Sequence, residues 1–137
     1  MSARTIAVSR ERAKGFGLRV AYDDGCYSLR TPTGEPWGLD CLPDRDSVAT
    51  ALDELAATYR LGTNDDGYPI IRPVRVLPNG EDRWVVFVPC PFCGSVHRHS
   101  GPLPGLRRSH CVGLLSQAGT YLIVDADGLI TQQRKAS

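Results

Sequence analysis

Cys90-Pro91-Phe92-Cys93-Gly94-Ser95-Val96-His97-Arg98-His99, followed eleven residues on by His110-Cys111, holds three of the five cysteines and all three histidines of the chain. Thiolate and imidazole suit Zn2+, and two cysteines separated by two residues close a knuckle around one ion. Pro91 stiffens the turn, Gly94 takes the backbone angle its position needs, and amides of the turn can point at the sulfurs. A single structural Zn2+ is therefore expected, clasped on one side by Cys90 and Cys93. Cys111 is the expected third ligand, because closed sites favour sulfur and the loop Gly101-Pro102-Leu103-Pro104-Gly105 returns the chain here. His97 and His99 share one side of an extended strand. His99 is the favoured fourth ligand with His97 left open, and His110 is expected to support the site by hydrogen bonding.

Upstream of the knuckle, residues 83–88 read as an apolar strand that runs straight into Pro89-Cys90, and residues 96–99 as its return strand. Residues 68–77 read as a strand weakened by Pro69 and Pro73. Downstream, residues 120–124 read as a strand bounded by Asp127-Gly128, with residues 129–133 returning beside it. This section, residues 63–137, is expected to form a zinc-binding β module of the zinc-ribbon type.

The N-terminal half has a different pattern. Leu18, Val20 and Tyr22, then Tyr27 and Leu29, alternate on either side of Asp23-Asp24-Gly25, which predicts a hairpin. Thr31-Pro32-Thr33-Gly34 turns the chain into a third strand carrying Trp37, Leu39 and Cys41. Asp44 and Ser47 can cap a helix over residues 47–59, in which Val48, Leu52, Leu55 and Tyr59 recur on one face. Residues 15–62 thus read as a three-stranded meander covered by one amphipathic helix, with the polar run 62–67 as the module boundary. Residues 1–14, with only Ile6 and Val8 as apolar anchors, read as a polar basic arm. The fold class expected is α+β, rich in strands.

Residues 1–19 carry five basic residues against Glu11, residues 20–67 three against ten acidic, and residues 68–137 eight against four. Basic ends around an acidic middle allow the ends to meet a polyanion. No apolar run approaches the length of a membrane span and the start of the sequence has no signal-peptide pattern, so a cytoplasmic protein with no membrane partner is expected. An odd total of five cysteines, three of them clustered with histidine, suggests metal and a reducing compartment, and Cys26 and Cys41, in apolar alternating segments, read as buried free thiols.

The run Cys90-Pro91-Phe92-Cys93-Gly94-x-x-His97-x-His99, then Gly105-x-Arg107-x-x-His110-Cys111, resembles a pattern in small proteins of actinobacteria, their phages and their integrative elements. The resemblance covers roughly residues 84–113. It implies a zinc-ribbon-like unit on a phage-type or mobile-element protein, and no particular activity. Leu106 stands where those proteins often have a histidine.

Enzymatic readings find little support. Pro89-Cys90-x-x-Cys93 matches half of the nucleobase deaminase signature, but no histidine precedes residue 97 to supply the His-x-Glu half. A metal-dependent nuclease would need the same histidines that close the structural site. No phosphate-binding loop, dinucleotide fingerprint or nucleophile elbow is present. Two binding readings follow. Arg98, Arg107 and Arg108 around the knuckle, with Arg72, Arg75 and Arg83 on preceding strands, suit nucleic acid. The acidic helix and sheet would suit a basic host protein equally well.

Overall fold

The computed structural model describes residues 5–81, 83–109 and 119–136. They form an α+β fold of three helices and ten strands in three sheets, divided into two compact units, Met1–Leu55 and Ala56–Ser137.

The first unit contains the expected meander. Strands β1 (Arg19–Asp23), β2 (Cys26–Arg30) and β3 (Pro36–Leu42) pair antiparallel in order, and Asp24 (φ 51°) and Gly25 (φ 80°) make the tight turn between the first two. Only a residue tolerant of positive φ fits there. Helix α2 (Arg45–Ala57) starts two residues earlier than expected. Asp44 Oδ1 accepts from both the Ser47 amide and the Ser47 hydroxyl at 2.8 Å, which caps the helix. Val48 and Leu52 from its apolar face meet Val20, Leu29 and Leu42 in the core, whereas Tyr59 lies beyond the helix end.

Three expectations are corrected here. The basic arm is instead helix α1 (Ile6–Gly15), capped by Thr5, whose hydroxyl accepts from the Val8 amide at 3.2 Å. Its Ser9, Arg12 and Ala13 are buried, and the Arg12 guanidinium lies 2.8 Å from Asp53 of α2. Small residues at helical spacing make a packing face that a search for large apolar residues misses. Second, Cys26 and Cys41 are not free thiols; they are joined by a disulfide, because the pairing of β2 with β3 brings their Cα atoms to 5.0 Å. Third, the polar run 62–67 is not a boundary. Arg60–Thr63 forms β4, which pairs with β5 (Pro69–Ile71) around a turn in which Asn64 Oδ1 accepts from the amides of Asp66 and Tyr68.

In the second unit Pro73 ends one strand and begins another sheet. β5 joins the sheet β4-β5-β10-β9, in which it runs parallel to β10 (Thr120–Ile123), itself antiparallel to β9 (Gly105–Arg108). After Pro73, β6 (Arg75–Pro78) enters the antiparallel sheet β6-β7-β8, with β7 (Trp84–Pro89) in the middle and β8 (Val96–Gly101) at its edge. Ile71, Val76, Trp84, Val86, Val88, Tyr121 and Ile123 form the core with Cys90. The expected return strand after Asp127-Gly128 is helix α3 (Leu129–Ala136). Both carboxylate oxygens of Asp125 accept from its first amides, Leu129 at 2.7 Å and Ile130 at 3.0 Å, and this cap decides for helix. No helix among the described residues is long and apolar enough to cross a membrane.

Candidate metal centre

The knuckle lies where β7 ends and doubles back into β8. Val88 and His97 are partners across the two strands, as are Val86 and His99, so both histidines project from the face that carries the core valines. Between the strands the chain closes a tight turn. The Cys90 amide donates to the Ser95 carbonyl at 2.8 Å, the Gly94 amide to the Cys90 carbonyl at 2.9 Å, and Gly94 adopts φ 77°. The Phe92 amide points at Cys90 Sγ from 3.4 Å, the amide-to-sulfur contact that stabilises a thiolate.

The ligand atoms of Cys90, Cys93 and His97 all lie within 4.8 Å of one another. His97 Nε2 is 3.2 Å from Cys93 Sγ. A tetrahedral zinc with Zn–S of about 2.3 Å and Zn–N of about 2.0 Å separates such a pair by about 3.5 Å, so the donors fit one ion with small adjustment. Cys90 is buried, and Cys93 and His97 are half-buried. Without metal, the hydrogen bond with Cys93, and then burial, push the Cys90 thiol well above its ordinary pKa, while the Phe92 and Cys93 amides pull it down. A metal bound here would have to displace that proton, so its binding would weaken as the pH falls.

His99, the favoured fourth ligand, is turned elsewhere. It is buried, its Nε2 is hydrogen-bonded to the Tyr121 hydroxyl, and its ring meets Tyr121 edge-on at 5.5 Å. Tyr121 comes from β10, twenty-two residues away, and its ring also stacks on Phe92 of the knuckle, centroids 6.3 Å apart and planes inclined by 29°. The two histidines therefore have different work although they share one strand face. His110 and Cys111 lie outside the described residues. The chain on both sides of them does not: Ser109 donates its amide to Gly119 and accepts the Gly119 amide on its hydroxyl, and a Cβ on Gly119 would stand 2.5 Å from the Phe92 ring. Ser109 and Gly119 are thus paired with each other, and Gly119 lies against Phe92 of the knuckle.

No family model, no curated protein and no solved structure matches this chain.

The basic residues divide by role. Arg98 on β8 and Arg108 on β9 are exposed. Arg107 is committed to the loop that precedes it, donating to the carbonyls of Ser100 (3.3 Å), Pro102 (2.9 Å) and Leu106 (2.8 Å). Gly101 and Gly105 make the room: a Cβ on Gly101 would come to 2.6 Å of the guanidinium, and one on Gly105 would collide with it and press on the Pro102 carbonyl. Arg72 is likewise structural, lying over the Tyr59 ring at 4.1 Å and bonded to the Thr58 carbonyl and to Asp127. Sequence reading missed Tyr121 and the pairing of Gly105 with Arg107. The Gly-x-Arg spacing was visible, but its purpose depends on the carbonyls of a loop.

Proposed function

We propose that this is a non-enzymatic binding protein whose second unit is stapled by one structural Zn2+, in the manner of a zinc ribbon, and which binds nucleic acid through basic residues near that staple. The observation that carries the metal assignment is the convergence of Cys90, Cys93 and His97 on one point. Cys111 supplies the fourth ligand in this reading. Its support is the anchoring of Ser109 and Gly119 beside Phe92, which starts the segment two residues before Cys111. A buried cysteine and a cap on the end of a core strand suit a closed site, whose contribution is folding energy. Exposed Arg98 and Arg108 lie on strands that contain no acidic residue, which favours a polyanion over a basic protein.

Elemental analysis of purified variants tests the metal. The parent should hold one zinc per chain, Cys93→Ser and His97→Gln should lose it, and His99→Gln should keep it while melting at a lower temperature. Retention of full zinc by His97→Gln, or its loss from His99→Gln alone, would overturn the ligand set.

A further inference from the structure

The sheet β6-β7-β8 has a second face that neither core uses. Val76, Trp84, Val86 and Val88 point to the core, and alternation sends Arg75, Leu77, Val85, Phe87, Arg98 and Ser100 to the other side. Val85 is buried within this face, at 6% accessible, so the part open to a ligand is the flank where Leu77 is 38% exposed and Phe87 is half-buried. Phe87 is paired with Arg75 on one side and Arg98 on the other, so the three form one row across the sheet. The Arg75 guanidinium lies over the Phe87 ring, 4.3 Å from its centre. None of the three strands contains an acidic residue, and neither arginine is in an ion pair among the described residues.

An apolar strip centred on an aromatic ring and bordered by arginine matches one kind of polyanion. In a duplex the faces of the bases are already stacked on each other, so a ring on a sheet has nothing to meet. Unpaired bases offer those faces, and they stack on aromatic rings and on guanidinium planes while neighbouring arginines take the phosphates. We infer that the outer face of β6-β7-β8 binds single-stranded nucleic acid, a base stacking on the Arg75–Phe87 pair and the backbone crossing Arg98. This rests on the nucleic-acid reading above and names its surface and the strandedness of its ligand.

Fluorescence anisotropy of the zinc-loaded full chain with labelled oligothymidylate, oligouridylate and a mixed-sequence duplex tests it. Single strands should bind at least about tenfold tighter than the duplex, and Phe87→Leu should weaken single-strand binding by about tenfold. Arg75→Gln combined with Arg98→Gln should weaken single-strand binding as well and reduce the slope of log K against log salt by about 0.7, for the one phosphate that Arg98 no longer neutralises. These two positions are exposed, so the double variant remains informative if thermal melting shows that Phe87→Leu has unfolded. Absence of binding to any of the three probes would overturn the nucleic-acid reading and this inference together. Binding that prefers the duplex, or that ignores both sets of variants, would overturn the inference alone; weakened binding by Arg108→Gln would then place the nucleic acid on β9.

Discussion

The unit ending at Leu55 gathers Ala13, Val20, Leu29, Leu42, Val48 and Leu52 from two helices and one sheet, and the unit beginning at Ala56 draws its core almost wholly from strands of two sheets. In the first, short turns join neighbours, and the covalent link between Cys26 and Cys41 only reinforces strands that already pair. In the second, a loop from Gly101 to Gly105 and the segment 110–118 must bring β9 and β10 beside β5, and the parallel pairing of β5 with β10 joins residues about fifty apart. Ordering long connections costs entropy that a core of this size offsets only narrowly. A cross-link matters more where the contacts are distant in sequence; Cys90, Cys93 and His97 lie within one hairpin, so it is Cys111 that would give the proposed zinc that reach.

The largest expected effect tests that difference directly. Structural zinc is worth on the order of 10 kcal/mol of folding free energy at neutral pH. If the proposed zinc is bound, a strong chelator should erase amide protection across β7, β8 and β9, while β1 to β3 keep theirs, as read by residue-resolved hydrogen exchange. Equal loss in both units, or no loss in either, would break the contrast. The smaller counterpart is the double change Cys26→Ser, Cys41→Ser, which leaves the metal ligands untouched. Opening a loop of fifteen residues should cost about 3 kcal/mol. It should lower the urea midpoint of the first unit and leave the zinc content unchanged; an unaltered midpoint would mean that strand pairing alone holds β2 to β3.

How far the sequence could be read depended on how local each determinant was. The meander was legible because alternation and Asp23-Asp24-Gly25 are complete within a dozen residues. The knuckle was legible for the same reason, down to the conformation of Gly94. The choice between His97 and His99 was not, since strand alternation puts both on one side and the decision comes from Tyr121 on β10. Cys26 and Cys41 lie nearly symmetrically about the Thr31–Gly34 turn, so pairing the two strands across that turn would have found the bridge. Helix α1 was hidden by its small buried residues, and α3 by an Asp125 cap that stands outside the helical pattern. Arg107 looked like a phosphate ligand because its loop carbonyls cannot be seen from composition.

Acid offers the mildest way to separate the units. Protons compete with zinc for thiolate and imidazole, so acidification should open the second unit first. The first unit carries a different group, Asp44, whose carboxylate accepts from the Ser47 amide and then from the Ser47 hydroxyl, and these bonds hold its pKa below the ordinary 3.8. A carboxylate held down in the folded state stabilises fully above its ordinary pKa, and that stabilisation is lost only as the pH falls through the lower, folded value. The helix α2 cap should therefore survive to below pH 3.8, after the metal has gone. Asp44→Asn keeps an oxygen for the Ser47 amide and has no proton to gain. Its far-ultraviolet circular dichroism should lack the last acid step that the parent shows, with the earlier step intact. If the variant keeps both steps, the cap is not the proton-sensitive part of the first unit.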